Sequence, residues 1–376
     1  LTKLGTSVVS EAAPGYAALL QTSKAPPEVW QRVARYFDEL EHALGAEVPR
    51  ARNEPLPEPA SAQFWPRDGA QSVTETPHWF GPKRSLFGIL TEAPQPKRDA
   101  PCVVLLSGGV NPQVGTNRLH TRWARDWALD LGLTSFRFDL SGIGDSATAP
   151  GAEDAQLYSL STVDDVREAL DFLERTTGAR HFALVGLCSG AFAGFHTALA
   201  DRRVTELGLL NLLRYYWNAN DSIESVQAQR RRQLRSLRYY WTAVGRADPW
   251  RKLLRGDVQL ARIGSELAAR SARRVLHAGA YWLDRVRGAQ SAPVSQLAHD
   301  FRVLAERGAS SLVVYNGDEP MLDDFQEQLG PELPRLTALG SIRLEVIDNA
   351  DHIFSPLSAQ RALTQRLTAY LREVSG

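Results

Sequence analysis

The stretch Leu184-Val185-Gly186-Leu187-Cys188-Ser189-Gly190-Ala191 restricts the fold more than any other part of the chain. An apolar run that reads as a buried strand leads, within a few residues, into the apolar helical pattern of Ala191–Ala200. A strand that turns into a helix so abruptly needs small residues on either side of the corner. The pattern G-x-C-x-G supplies them, and its central residue must adopt a strained backbone that aims its side chain out of the turn. Only Cys188 occupies that position. Ser189 is therefore not expected to be a nucleophile, and its backbone N–H is a candidate oxyanion donor instead. A thiol at the start of a helix ionises more readily than a free one. A buried core cysteine after a glycine turn would spell the same five letters, so the surrounding sequence has to decide between them.

From Ser72 onward the chain alternates short β-rich runs with helical patterns. Strands are predicted at Ser72–Phe80, Ser85–Thr91, Cys102–Leu106, Thr134–Asp139, Phe182–Leu187, Leu207–Leu212, Ser311–Tyr315 and Ile342–Ile347. Helices are predicted at Arg118–Leu131, Thr162–Thr176, Ala191–Ala200 and Ser358–Val374. Such alternation with right-handed crossovers gives an α/β sandwich, a mostly parallel sheet flanked by helices. Residues 1–65 read as an N-terminal helical arm for packing or oligomerisation, with a helix opening at Pro27-Glu28-Val29-Trp30 and running to Leu44. Residues 213–305 interrupt the alternation with mainly helical, Arg-rich sequence. A structureless loop of that length does not fit a compact domain, so they read as an inserted cap, leaving 66–212 and 306–376 as the core.

Two later segments supply the partners that a nucleophilic thiol needs. Leu312-Val313-Val314-Tyr315-Asn316-Gly317-Asp318 is a strand running into a turn that ends on a carboxylate, with Glu319, Asp323 and Asp324 nearby as competitors. Ile347-Asp348-Asn349-Ala350-Asp351-His352-Ile353-Phe354 is a strand followed by a polar loop bearing a histidine. In this order His352 is expected to accept the proton of Cys188, and Asp318 to orient the imidazole. Leu105-Leu106-Ser107-Gly108-Gly109-Val110 ends a strand in a glycine pair, making the N–H of Gly109, then that of Val110, the second oxyanion donor.

Over residues 72–374 these motifs resemble the α/β-hydrolase superfamily, particularly its serine-aminopeptidase-like and acyl-hydrolase branches. Phe136-Arg137-Phe138-Asp139-Leu140-Ser141-Gly142-Ile143-Gly144-Asp145-Ser146 is similar to the turn after the superfamily's fourth strand. The nucleophile departs from the usual serine. Cysteine there resembles dienelactone hydrolases, polyhydroxyalkanoate synthases and some thioesterase domains, none of which matches throughout. The resemblance implies acyl chemistry through a thioester intermediate, by a thioesterase or an acyltransferase acting on an acyl thioester or activated ester. A polymerising acyltransferase and a non-catalytic binding protein that keeps the fold are the competing expectations.

Charge bears on the substrate. The chain is neutral overall, yet Asn211–Arg302 holds 17 Lys and Arg against 7 Asp and Glu, a net of +10 balanced by −10 elsewhere. Arg230, Arg231, Arg232, Arg235 and Arg238 beside Tyr239, Tyr240 and Trp241 suit a phosphopantetheine arm, coenzyme A or an acidic acyl carrier protein, while a solvated helix face paired with the acidic remainder of the chain explains them slightly better. Nucleic acid is not expected, because no nucleic-acid motif accompanies the basic excess. Tyr215, Tyr216 and Trp217, with Tyr281 and Trp282, are candidate acyl-pocket residues, although aromatic side chains more often pack a core. His120, His181, His196 and His277 are expected to be structural, and Cys102 an inert core thiol. Two cysteines in 376 residues form neither a disulfide framework nor a metal cluster. The mechanism requires no cofactor. The sequence has no run of roughly 20 apolar residues and no secretion signal at its N-terminus, which begins with Leu1 rather than Met. A cytoplasmic setting, no membrane partner and a homodimer are the corresponding expectations.

Overall fold

The computed structural model describes residues 27–44, 61–64, 71–97, 99–148, 157–217, 221 and 295–376. The chain divides into two units, Leu1–Glu58 and Pro59–Gly376. In the first, α1 spans Pro27–Leu44, with Pro27 at the helix start, where a missing N–H does no harm. Its side chains from 31 to 39 are exposed, Val33, Tyr36 and Phe37 included.

The second unit is built on a nine-stranded sheet. In chain order its described elements are β1 (Ala62–Phe64), β2 (Val73–Phe80), β3 (Leu86–Glu92), β4 (Cys102–Leu106), α2 (Leu119–Leu131), β5 (Ser135–Phe138), α3 (Ser161–Thr177), β6 (Phe182–Leu187), α4 (Ser189–Ala200) and β7 (Val204–Leu210). They continue with α5 (Gln296–Glu306), β8 (Ser310–Asn316), α6 (Pro320–Leu329), α7 (Glu332–Ala338), β9 (Ile342–Ile347) and α8 (Leu357–Val374). The strands lie in the order β1-β2-β3-β5-β4-β6-β7-β8-β9. The pairs β1–β2, β2–β3 and β3–β5 are antiparallel, and every pair from β5–β4 to β8–β9 is parallel.

The central strands are buried on both faces, which is why they read as continuous apolar runs. Along β4 the side chains alternate between two cores: Val104 and Leu106 join Phe136, Leu170, Leu184 and Phe192, whereas Val103 and Leu105 join Trp123, Trp127, Leu363 and Leu367. In the second core α2 and α8 are pinned together, Trp123 Nε1 donating to Thr364 Oγ1 (2.8 Å) and Trp127 Nε1 to Thr368 Oγ1 (2.9 Å). Each indole thus buries its ring without orphaning its N–H.

Three helices and one strand were not anticipated. Helix α5 falls inside the stretch assigned to the cap, yet Leu297, Ala298, Phe301 and Leu304 are buried in the same core as Phe195 and Tyr215. Their helical spacing was present in the sequence but was subsumed in an Arg-rich region. Residues 222–294, which make up most of the expected cap, lie outside the described residues. Strand β1 falls within the expected arm and pairs with β2 instead.

Candidate active site

Cys188 stands at the corner between β6 and α4 with φ 57° and ψ −115°, a strained conformation for a residue with a side chain. The flanking glycines are required by contact. A Cβ on Gly186 would come within 2.4 Å of the Gly190 backbone, and one on Gly190 within 2.3 Å of the Leu106 carbonyl oxygen. The Cys188 N–H donates to Leu210 O (2.9 Å), and its carbonyl accepts from Phe192 N–H (3.2 Å) to begin α4. The thiol is thereby held half-buried at the carboxyl end of the parallel strands, where sites form in such sheets.

His352 comes from the loop after β9. Its Nδ1 lies 3.1 Å from Glu319 Oε2, and the Glu319 side chain has no exposure. The carboxylate that meets the imidazole is thus Glu319 and not the expected Asp318. Asp318 is exposed at the turn, while Glu319, the residue before α6, is buried and faces the imidazole. Adjacent residues in a tight turn point in different directions, and here the second one points inward. With Nδ1 facing a carboxylate, Nε2 is left buried with no well-aligned hydrogen-bond partner.

The electrostatics couple this imidazole to the sulfur. Burial alone would push the Cys188 thiol up, but attraction from His352, then the Tyr158 hydroxyl and the Ser189 N–H, outweighs it and holds the thiol below its ordinary value. Burial likewise depresses His352, and attraction to the Cys188 sulfur and then to Glu319 reverses this, raising the imidazole to about 9. Both shifts favour a thiolate–imidazolium pair near neutral pH. By contrast, burial alone lifts Cys102 to about 12, as befits an inert core thiol.

Two further contacts at the site carry no motif in the sequence. Tyr158, in the short segment before α3, places its hydroxyl 3.2 Å from Cys188 Sγ. Asn211, just after β7 with φ 44°, donates from Nδ2 to His352 O (2.7 Å) and accepts at Oδ1 from Asn316 N–H (2.8 Å). It ties the histidine loop to the end of β8. Tyr158 had no sequence signal, since it sits in a loop without periodicity. Asn211 had a weak one, a polar residue closing the apolar run of β7.

The loop after β4 lies against the elbow. A Cβ on Gly108 would come within 2.7 Å of Leu187 O and 3.2 Å of Cys188 Cβ, so the approach needs glycine. Gly109, at φ +60°, donates its N–H to Ser189 Oγ (2.8 Å), and Val110 projects an exposed side chain. The loop is braced from below. Ser107 Oγ donates to Pro112 O (3.0 Å) and lies 3.4 Å from His120 Nδ1. Burial, then repulsion from Arg137, drives His120 down to about 3, so it is neutral. Arg137 Nε donates to Gln113 Oε1 (3.0 Å), and its Nη1 lies 2.9 Å from Glu75 Oε1.

The expected aromatic pocket divides. Tyr215 is core: it packs against Phe195, Phe301 and Phe325, and its hydroxyl meets that of Tyr315 at 3.1 Å. Tyr216 is half-buried and donates to Asp300 Oδ2 (2.7 Å). Trp217 stacks on the ring of Tyr158, whose hydroxyl meets the thiol, at 4.6 Å and 7°. His196 meets Tyr215 O through Nε2 (2.7 Å), a structural contact. Arg230, Arg231, Arg232, Arg235, Arg238, Tyr239, Tyr240, Trp241, His277, Tyr281 and Trp282 lie outside the described residues. Among the described residues, no group of three or more His, Cys, Asp or Glu is placed to hold a metal ion, and no helix is long and apolar enough to cross a membrane.

The chain is similar to several solved structures. One is an alpha-beta serine hydrolase homologue from Coxiella burnetii, at 12% identity over 85% of this chain and 99% of that one, with a TM-score of 0.41. A proline iminopeptidase from Mycobacterium smegmatis has 14% identity over 84% and 99%, TM-score 0.45. A thermophilic esterase from Thermogutta terrifontis has 18% identity over 84% and 100%, TM-score 0.39. No curated protein sequence matches the chain. The sequence model of the alpha/beta hydrolase family matches residues 103–365, which run from β4 into α8 and contain Cys188, Glu319 and His352. The chain belongs to the alpha/beta hydrolase family.

Proposed function

We propose that the protein is an acyl-transfer enzyme that uses Cys188, His352 and Glu319 as a triad, a thioesterase or acyltransferase acting on an acyl thioester or activated ester. The observation that carries this reading is the thiol on a strained strand-to-helix corner, coupled to an imidazole whose far nitrogen meets a buried carboxylate 3.1 Å away. The chemistry follows from the pair. The Cys188 thiolate attacks the substrate carbonyl carbon, and the C=O electron pair moves onto oxygen. As the tetrahedral adduct collapses, the leaving group takes the Nε2 proton of His352, and the acyl group stays on Sγ as a thioester. An acceptor, water or another nucleophile, gives its proton to Nε2 as it attacks the thioester, and Cys188 departs as thiolate. Glu319 stabilises the imidazolium in both halves.

The Ser189 N–H is the first oxyanion donor of this reading, and because the Gly109 N–H already donates to Ser189 Oγ, the second is the Val110 N–H of the same loop. Because the Ser189 hydroxyl accepts from Gly109, its own proton is available to a developing oxyanion as well. A thioester intermediate is attacked readily by amines, alcohols and thiols, so transfer competes with hydrolysis. The basic excess of Asn211–Arg302 favours an acyl group carried on coenzyme A or an acyl carrier protein.

Hydrolysis and transfer assays with acyl-coenzyme A and p-nitrophenyl esters test the proposal. Cys188→Ala should abolish turnover on both substrates, and Cys188→Ser should retain a small fraction of it. Wild-type rates in Cys188→Ala would overturn the reading.

A further inference from the structure

Among the described residues, Tyr158 is the side chain that hydrogen-bonds to the thiol and that the triad does not use. Its hydroxyl lies 3.2 Å from Cys188 Sγ, and the sulfur is its hydrogen-bond partner among the described residues. Its ring is held from two sides, face to face with Trp217 at 4.6 Å and edge-on to Phe192 at 5.4 Å. Phe192 stands one helical turn after Cys188 on α4, so the elbow that aims the sulfur also positions the ring. A phenol that served only to fill space would have no need to meet the sulfur.

We propose that Tyr158 is a catalytic residue of this site, donating a hydrogen bond from its hydroxyl to the Cys188 thiolate. The inference rests on Cys188 being the nucleophile. The phenol remains a donor at neutral pH, because burial, then the charge of Cys188, raises its ionisation far above the usual range. No proton is transferred. In deacylation the acceptor forms its bond to the acyl carbon, the C–S bond breaks, and its electron pair returns to sulfur, where the phenol stabilises the charge. The same contact therefore makes the thiol easier to ionise and makes Cys188 a better leaving group. The charged and titratable groups that share this environment are His352, Glu319 and Arg214. The first two remain in place when the phenol alone is removed.

Tyr158→Phe keeps the ring and its stacking and deletes the donor. The readout is the pH dependence of Cys188 alkylation by iodoacetamide in the folded protein, with circular dichroism confirming the fold. Loss of a hydrogen bond to a charged group should move the midpoint of the thiolate limb upward by about one to two pH units. Trp217→Leu, which frees the ring but keeps the phenol, should move it the same way by less. An unchanged midpoint in Tyr158→Phe, or in Trp217→Leu if the first variant does not fold, overturns the inference. A wild-type Cys188 that fails to alkylate below pH 8 would instead sink the nucleophile reading itself, and the two failures are thereby separated.

Discussion

Exchanging charge at two neighbouring carboxylates tests the proposal that Glu319, and not Asp318, orients His352. Glu319 Oε2 lies 3.1 Å from Nδ1 on a side chain with no exposure, so solvent does little to screen it. Opposite unit charges at that distance attract by about 5 kcal/mol at an effective dielectric of about 20. Glu319→Gln still offers Nδ1–H a carbonyl oxygen, and a neutral hydrogen bond keeps roughly half the strength of a charge-assisted one. The expected loss is then about 2–3 kcal/mol of imidazolium stabilisation, or roughly 30- to 150-fold in kcat. Glu319→Ala, which leaves the buried N–H without an acceptor, should cost more, on the order of 10^3- to 10^4-fold. Asp318→Asn changes an exposed turn residue and should alter kcat by less than about 3-fold. Steady-state turnover of a p-nitrophenyl ester measures all three. Near-wild-type kcat in Glu319→Gln together with a large loss in Asp318→Asn would refute the assignment.

Three further outcomes follow from the same geometry. The ion pair exists above the lowered pKa of Cys188 and below the raised pKa of His352, so kcat/KM should rise as the thiol ionises and fall as pH passes about 9, where the imidazolium loses the proton that the leaving group needs; activity still rising above pH 9.5 would contradict it. Asn211→Ala removes the acceptor of a buried backbone N–H and the tether on His352 O, and should lower stability by about 1–3 kcal/mol while reducing kcat, measured by urea unfolding and turnover. Glu75→Ala strands Arg137, whose side chain is only 4% exposed, and should cost about 3–5 kcal/mol by the same unfolding assay; no change would show that Arg137 finds another partner.

The features legible in the sequence were those with a local, periodic or steric cause. Strands β4 and β6 end at the predicted residues because every side chain in them is buried and their flanks are turn residues, and the edge strand β9 does so because turn residues bound its apolar run. The elbow was legible because glycine is required where backbones approach within contact distance, as at Gly186 and Gly190. Direction within a turn is not encoded in that way. Asp318 and Glu319 are equivalent by pattern, and only the entry of the chain into α6 decides which carboxylate turns inward. The run Tyr215-Tyr216-Trp217 posed the same problem, since the burial of Tyr215 against Phe301 and Phe325 depends on α5 and α6, far along the chain. Tyr158 reaches the sulfur only through tertiary packing on Trp217 and Phe192.

Whether an acyl group becomes attached to Cys188 is the central question, and mass spectrometry answers it directly. The intact protein would be incubated at neutral pH with a panel of acyl-coenzyme A thioesters and p-nitrophenyl esters, quenched in acid and mapped by peptide digestion. A single added acyl mass is expected on the peptide containing Cys188, absent from Cys188→Ala and longer-lived in Tyr158→Phe. Turnover of those substrates with no adduct in wild type or in Tyr158→Phe, or an adduct on another residue that persists in Cys188→Ala, would contradict it.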